Sequence, residues 1–152
     1  MTEVSAAPSF MQVALAQAKS AAADGEVPVG CVIARAGTII AQTRNRTLAD
    51  QDPTAHAEML AVRAAAHALG SERLVDCDLY VTVEPCAMCA AAISFARIRR
   101  LYYGAADPKG GAVENGVRFF GSPTCHHRPE IYAGIGEADA AGLLKDFFRA
   151  RR

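Results

Sequence analysis

"VTVEPCAMCAAAI", residues Val81 to Ile93, joins two kinds of local structure. The β-branched run Val81-Thr82-Val83 reads as a strand. Glu84-Pro85 halts it, and the alanine-rich segment beyond has high helix propensity. Pro85 suits the first turn of that helix, where its missing N–H costs nothing. Cys86 and Cys89 stand three residues apart, so they share a helix face and their sulfurs can reach one point. A strand running straight into a helix is the repeating unit of an open sheet covered by helices.

Working outward, the same alternation holds. Upstream, Phe10, Val13, Leu15 and Ala18 with interspersed Lys and Gln predict a helix from about Ser9 to Ala23, stopped near Asp24-Gly25. "PVGCVIARAGTIIAQT" predicts a hairpin of Val29–Arg35 with Thr38–Thr43 around a tight Ala36-Gly37 turn. "TAHAEMLAVRAAAHALG" is the clearest helix, with Thr54 as its expected N-cap and Gly70 as its stop. Downstream, "RIRRLYYG" predicts a strand along which Arg97, Arg99 and Arg100 alternate. Gly104 to Arg128 is Gly- and Pro-rich and reads as loop, with a short helical turn near Val117–Phe120. "EIYAGI" predicts a last strand, and Glu137 to Arg152 a terminal helix. The order αββαβαβ(β)α implies one α/β domain over residues 1–152, a mixed sheet with helices on both faces.

The bulk properties agree with such a domain. The chain has 152 residues, 51% of them hydrophobic, and Lys+Arg and Asp+Glu balance at 16 each. That composition excludes a disordered chain, and a zero net charge requires any polyanion site to come from local clustering. The N-terminus has no basic segment followed by an apolar run, so no signal peptide is expected. No apolar run approaches a membrane span. Five cysteines is an odd count, and a chain of this size needs no disulfide staples, so the reducing cytoplasm is the expected compartment.

Taken alone, C-x-x-C fits two small buried hydrophobes, a thioredoxin-like redox pair or half of a metal site. "DPTAHAEM" supplies what the third reading lacks, with His56 in the first turn of its helix and Glu58 two residues on. Residues i and i+2 diverge on a helix, so His56 and Glu58 converge only at a site lying off the helix's N-terminal end. Two helix N-termini around one point then bring together His56, Cys86 and Cys89. Three protein ligands with one open position is the catalytic zinc pattern, and such zinc lowers the pKa of bound water to about 7. Glu58 is better used as a proton shuttle than as a fourth ligand.

H-x-E with P-C-x-x-C resembles the zinc-dependent deaminases of the cytidine/deoxycytidylate deaminase superfamily. "EVPVG" at Glu26–Gly30, Asn45-Arg46, "DPTAHAE", "LYVTVEPCAMC", Arg97-Ile98 and "DFFRARR" resemble, within it, the bacterial tRNA-specific adenosine deaminases. This resemblance spans nearly the whole chain. It implies a three-layer α-β-α cytidine-deaminase-like fold with a central mixed sheet of about five strands. It also implies hydrolysis of the wobble adenosine of a tRNA anticodon to inosine with release of ammonia, one Zn²⁺ per chain and a homodimer. It assigns His56, Cys86 and Cys89 to zinc and Glu58 to catalysis. Asn45 and the backbone of Ala57 would hold the nucleoside, Val27, Pro28 and Val29 would wall the pocket, and Asp107 would approach the substrate backbone. Phe148 and Arg149 match positions that contact the anticodon loop. The chain departs from the family pattern at Ala105-Ala106-Asp107, where Ala-Arg-Asp is common, and at His126-His127-Arg128, where Asn-His-Arg is common.

The remaining chemistry-bearing residues have plainer readings. Cys31 lies in the apolar run "GCVIA" and is expected in the core, Cys77 and Cys125 in loops or at strand edges, and His67 on the surface near a helix C-terminus. Arg149, Arg151 and Arg152 crowd the C-terminus beside Phe147 and Phe148. Beside a deaminase site that mixture favours single-stranded RNA. Two alternatives stand next to a tRNA deaminase. One is a free-base or nucleoside deaminase of guanine or cytosine type, which has no use for the terminal basic-aromatic run. The other is a non-catalytic zinc-containing RNA-binding subunit, which has no use for Glu58.

Overall fold

The computed structural model describes residues 2–151, with side chains from residue 10 onward. Arg152, one of the terminal basic residues, lies outside the described residues. The elements run α1 (Thr2–Ala23), β1 (Gly30–Arg35), β2 (Thr38–Arg44), α2 (Ala57–Leu69), β3 (Cys77–Val83), α3 (Ala87–Phe95), β4 (Arg100–Ala105), β5 (Glu130–Tyr132) and α4 (Glu137–Arg149), with a 3-10 turn at Phe119–Gly121. The strands form one mixed sheet in the order β2-β1-β3-β4-β5. β1 is antiparallel to β2 and β3, whereas β3, β4 and β5 run parallel. This is the expected three-layer α/β architecture.

The layers follow from the period of two along each strand. Cys31, Ile33, Leu79 and Val81 face Ala57, Ala61 and Ala65 of α2 and Ala90 and Ile93 of α3. Val32, Ala34 and Tyr80 face the other way, onto Met11, Ala14 and Leu15 of α1 and Ala140 of α4. Both faces of the central strands are therefore buried, which is why they read as continuous apolar runs. Each large aliphatic withdrawn from water contributes about 1.5–3 kcal/mol. Tyr80, Tyr102 and Tyr132 stack across β3, β4 and β5 with centroids 4.4 and 4.9 Å apart. At Gly30 the sheet meets α1 so closely that a Cβ would lie 1.9 Å from the Ala14 carbonyl oxygen.

The hairpin closes on Ala36 and Gly37, both at positive φ, and α2 ends on left-handed Gly70, as the sequence predicts. Several boundaries differ. α1 begins at Thr2 rather than Ser9, its helical backbone passing through Pro8 before the first periodic apolar residue, Phe10. The N-cap of α2 is His56 and not Thr54, because the Thr54 hydroxyl and N–H both bond the Asp52 carboxylate, at 2.7 and 2.9 Å. Pro85 precedes α3 instead of opening it, since Cys86 is the cap. The three arginines do not alternate along a strand: Arg97 is left-handed at φ 63°, Arg99 forms a two-pronged ion pair with Asp78 before β4, and Arg100 alone of them is in β4. Cys77, expected at a loop or edge, is fully buried as the first residue of β3. Among the described residues no helix is long and apolar enough to cross a membrane.

Candidate active site

α2 and α3 both start beside the carboxyl end of β3, and their N-cap residues meet there. His56 (φ −72°, ψ 151°) and Cys86 (φ −74°, ψ 176°) are extended, and neither makes a side-chain cap hydrogen bond. Ordinary N-cap side chains turn back to satisfy the first helical N–H groups. These two instead turn toward each other. His56 Nδ1 lies 3.6 Å from Cys86 Sγ and 3.5 Å from Cys89 Sγ, and the three ligand atoms all fall within 4.8 Å of one another. Tetrahedral zinc with Zn–S of about 2.3 Å and Zn–N of about 2.0–2.1 Å spaces N and S ligands by about 3.6 Å. The donor set and its spacing therefore fit zinc. Because His56 precedes the helix and Glu58 is its second residue, the two side chains reach one site although i and i+2 diverge within a helix.

The electrostatics suit this arrangement. The Cys86 thiol is held down to about 4, first by the hydrogen bond from the Cys89 thiol and further by His56. The same contact, with burial, pushes the Cys89 thiol up. The bond to Cys86 raises His56 despite its partial burial. Glu58 is 4% exposed, and burial pushes its carboxyl up to about 7. A carboxyl near neutrality can both accept and deliver a proton.

A cavity of ≈ 270 Å³ opens in front of these groups. Its wall takes Val27 and Val29 from the approach to β1, Asn45 from the exit of β2 and Asp107 from the exit of β4, all residues that the family resemblance names for substrate contact. His56, Glu58 and Cys86 complete that set, while Cys89 is fully buried behind them. The antiparallel β1 and the parallel β3 and β4 bring these chain ends to one edge of the sheet, where open α/β folds bind ligands. Pro28 and Ala57 are buried rather than on the wall, and the Ala57 carbonyl accepts the Thr43 hydroxyl at 2.7 Å. Phe148 and Arg149 are not brought to the cavity. They are exposed on α4, with Arg149 3.9 Å from Asp146.

Thr47, Val83 and Glu84 also line the cavity and were not anticipated. Val83 and Glu84 had a signal, because Val83 ends the strand that delivers Cys86 and Glu84 directly follows it. Both walls hang on buried carboxylates. Glu26 accepts the N–H groups of Leu48 and Ala49 at 3.2 and 2.8 Å. For Glu84, burial works to raise the carboxyl, yet hydrogen bonds from Asp107, Asn115 and Glu114 outweigh it and hold the group below the usual carboxylate range. Cys31 is core, as expected. The Cys125 thiol donates to the His127 carbonyl at 3.1 Å, beside Ser94, and pins its loop locally.

Residues 5–105 match the family model of the cytidine and deoxycytidylate deaminase zinc-binding region. The chain is 60% identical over 143 residues to the tRNA-specific adenosine deaminase of Agrobacterium fabrum (strain C58), covering 94% of each protein. It superimposes with a TM-score of 0.88 and 61% identity on a structure from a study of A-to-I editing by tRNA:A34 deaminases at the wobble position of transfer RNA, covering 89% of this chain and 98% of that one. A guanine deaminase from Bacillus subtilis is similar over 64% of this chain and 63% of its own, with 41% identity and a TM-score of 0.63.

Proposed function

Because the chain belongs to the cytidine and deoxycytidylate deaminase family, we propose that it is a zinc-dependent hydrolase converting adenosine to inosine at the wobble position of a tRNA anticodon. The observation that carries this reading is the identity, over nearly the full length of both chains, to a tRNA-specific adenosine deaminase. The cavity supports it. At ≈ 270 Å³ it is just under the usual ligand-pocket range of about 300–1,000 Å³, and suits one splayed base rather than a base pair. An anticodon loop supplies such a base at little unstacking cost.

His56, Cys86 and Cys89 would hold the zinc, which when bound would supply a Lewis acid able to lower the pKa of water at neutral pH. The chain's own residues do the rest. Glu58 removes a proton from the water that adds to C6 and delivers it to N1 of the purine. It then carries the proton of the new C6 hydroxyl to the amine, so the C6–N bond breaks, ammonia leaves and the C6 carbonyl of inosine remains. Burial, which places the Glu58 carboxyl at about 7, suits both directions of transfer. Asn45, with its N–H tied to the Val29 carbonyl at 3.0 Å, orients the nucleoside. Val27 and Val29 enclose the base, and Asp107 stands toward the substrate backbone. On α4, Phe148 and Arg149 contact parts of the loop beyond the reacting base.

The whole chain acts as one deaminase domain in the cytoplasm, and as a homodimer that covers exposed apolar side chains such as Phe95 and Val117. The similarity to a guanine deaminase supports a second reading, deamination of a free base. An anticodon stem-loop with a wobble adenosine, and separately free guanine, adenine and cytosine, distinguish the two. Inosine in the RNA is expected. Ammonia from a free base with the stem-loop unchanged would favour the second reading.

A further inference from the structure

Glu84 directly follows β3, two residues before Cys86, and is 3% exposed. Among the described residues no Lys, Arg or His forms an ion pair with its carboxylate. The segment from Asp107 to Asn115 wraps it instead. One oxygen accepts the Asp107 N–H at 2.9 Å and the Asn115 side-chain amide at 2.7 Å. The other accepts the consecutive N–H groups of Val113, Glu114 and Asn115 at 3.0, 2.9 and 3.0 Å. Successive backbone N–H groups turned to one point form an anion-binding nest, and here the anion is a side chain of the same protein. The wrap is close. A Cβ on Gly111 would lie 2.4 Å from the Glu84 carboxyl carbon, so the segment reaches the carboxylate only with glycine there. The Ala112 N–H also donates to the Pro85 carbonyl at 2.8 Å, next to the Cys86 cap.

A carboxylate has about four lone-pair sites, and five donors already occupy them. Although Glu84 borders the cavity, it therefore has no acceptor left for a ligand and cannot be a second base beside Glu58. Its charge has another use. Asp107 is held to the residue that leads into Cys86, so the far wall of the cavity and the helix carrying two zinc ligands keep one spacing.

We propose that Glu84 is a positioning residue, whose buried carboxylate serves as the anion around which the Asp107–Asn115 segment folds and so sets Asp107 relative to the metal ligands. The kinetic part rests on the proposed activity, and the exchange part does not. Glu84→Gln keeps the shape but turns N–H donors toward N–H donors. In the zinc-loaded full chain, hydrogen exchange across residues 107–115 should speed up at least about tenfold, with α2 and the zinc content unchanged. On the stem-loop, kcat/KM should fall about 10–100-fold, the scale of a misplacement near 1 Å, mainly through KM. Glu84→Asp, which keeps the anion, should recover part of this loss. Adding Asp107→Ala to Glu84→Gln should cost little beyond the larger single effect, because both act on one element. Unchanged exchange in residues 107–115, or loss of zinc, overturns the proposal whatever the activity. Fully additive kinetic losses overturn the route through Asp107. Wild-type protein inactive on the stem-loop would refute the tRNA reading instead, and the exchange result would still decide the anchor.

Discussion

His56 and Cys86 occupy the same position on two different helices, each an extended N-cap whose side chain bonds no helical N–H, and their ligand atoms lie 3.6 Å apart. A capping side chain is worth about 1 kcal/mol to its helix, and both helices forgo it. The freed side chains and the two positive helix ends point at one spot, where thiolates are stabilised.

Zinc content tests that relationship. Wild-type protein should carry one zinc per chain by elemental analysis, and Cys86→Ala should lose most of it. Structural and catalytic zinc sites draw on every ligand, so unchanged zinc in this variant would exclude Cys86 as one. Chelator treatment of the wild type should abolish turnover, and added zinc should restore it.

Glu58 separates chemistry from binding. Glu58→Gln preserves shape and removes the proton-carrying function, so zinc and fold should persist. Turnover should drop at least about 10²–10⁴-fold. Activity within about tenfold of wild type would assign proton transfer to another group.

The adjacent phenylalanines of α4 should behave oppositely. Phe147 is 8% exposed, with the Arg151 guanidinium 3.5 Å from its ring centroid, so Phe147→Ala should cost about 3 kcal/mol of stability. Phe148 is 50% exposed. Phe148→Ala should leave the melting temperature nearly unchanged and weaken stem-loop binding by about 1–3 kcal/mol if the ring stacks on a base. Calorimetry and filter binding on the pair read both effects, and equal stem-loop affinity for Phe148→Ala and wild type would remove α4 from the RNA surface.

Gly30 tests the packing of α1. With a Cβ placed 1.9 Å from the Ala14 carbonyl oxygen, the backbone itself must move. Gly30→Ala should reach or exceed the upper end of the usual overpacking cost, about 1–3 kcal/mol. A variant melting within a degree or two of wild type would show that α1 docks loosely.

Period and punctuation in the chain were enough to read the order of elements, the hairpin turn at Ala36-Gly37 and the stop at Gly70, because these depend on neighbours in sequence. His56, Cys86 and Cys89 were legible for a similar reason, since H-x-E and P-C-x-x-C together supply the ligand types and spacings of a catalytic zinc site. Tertiary structure decided the rest. Thr54 looked like the better cap of α2 until Asp52 engaged it, and only then did His56 become the cap. That α4 packs against the opposite face of the sheet from α2 and α3, leaving Phe148 and Arg149 exposed and away from the cavity, was likewise decided only by the packing. Glu84 gave no local sign of its five partners, which lie 23 to 31 residues further along the chain. A buried charge is tolerated only where the fold brings donors to it, and which donors arrive depends on how β3 and β4 pair.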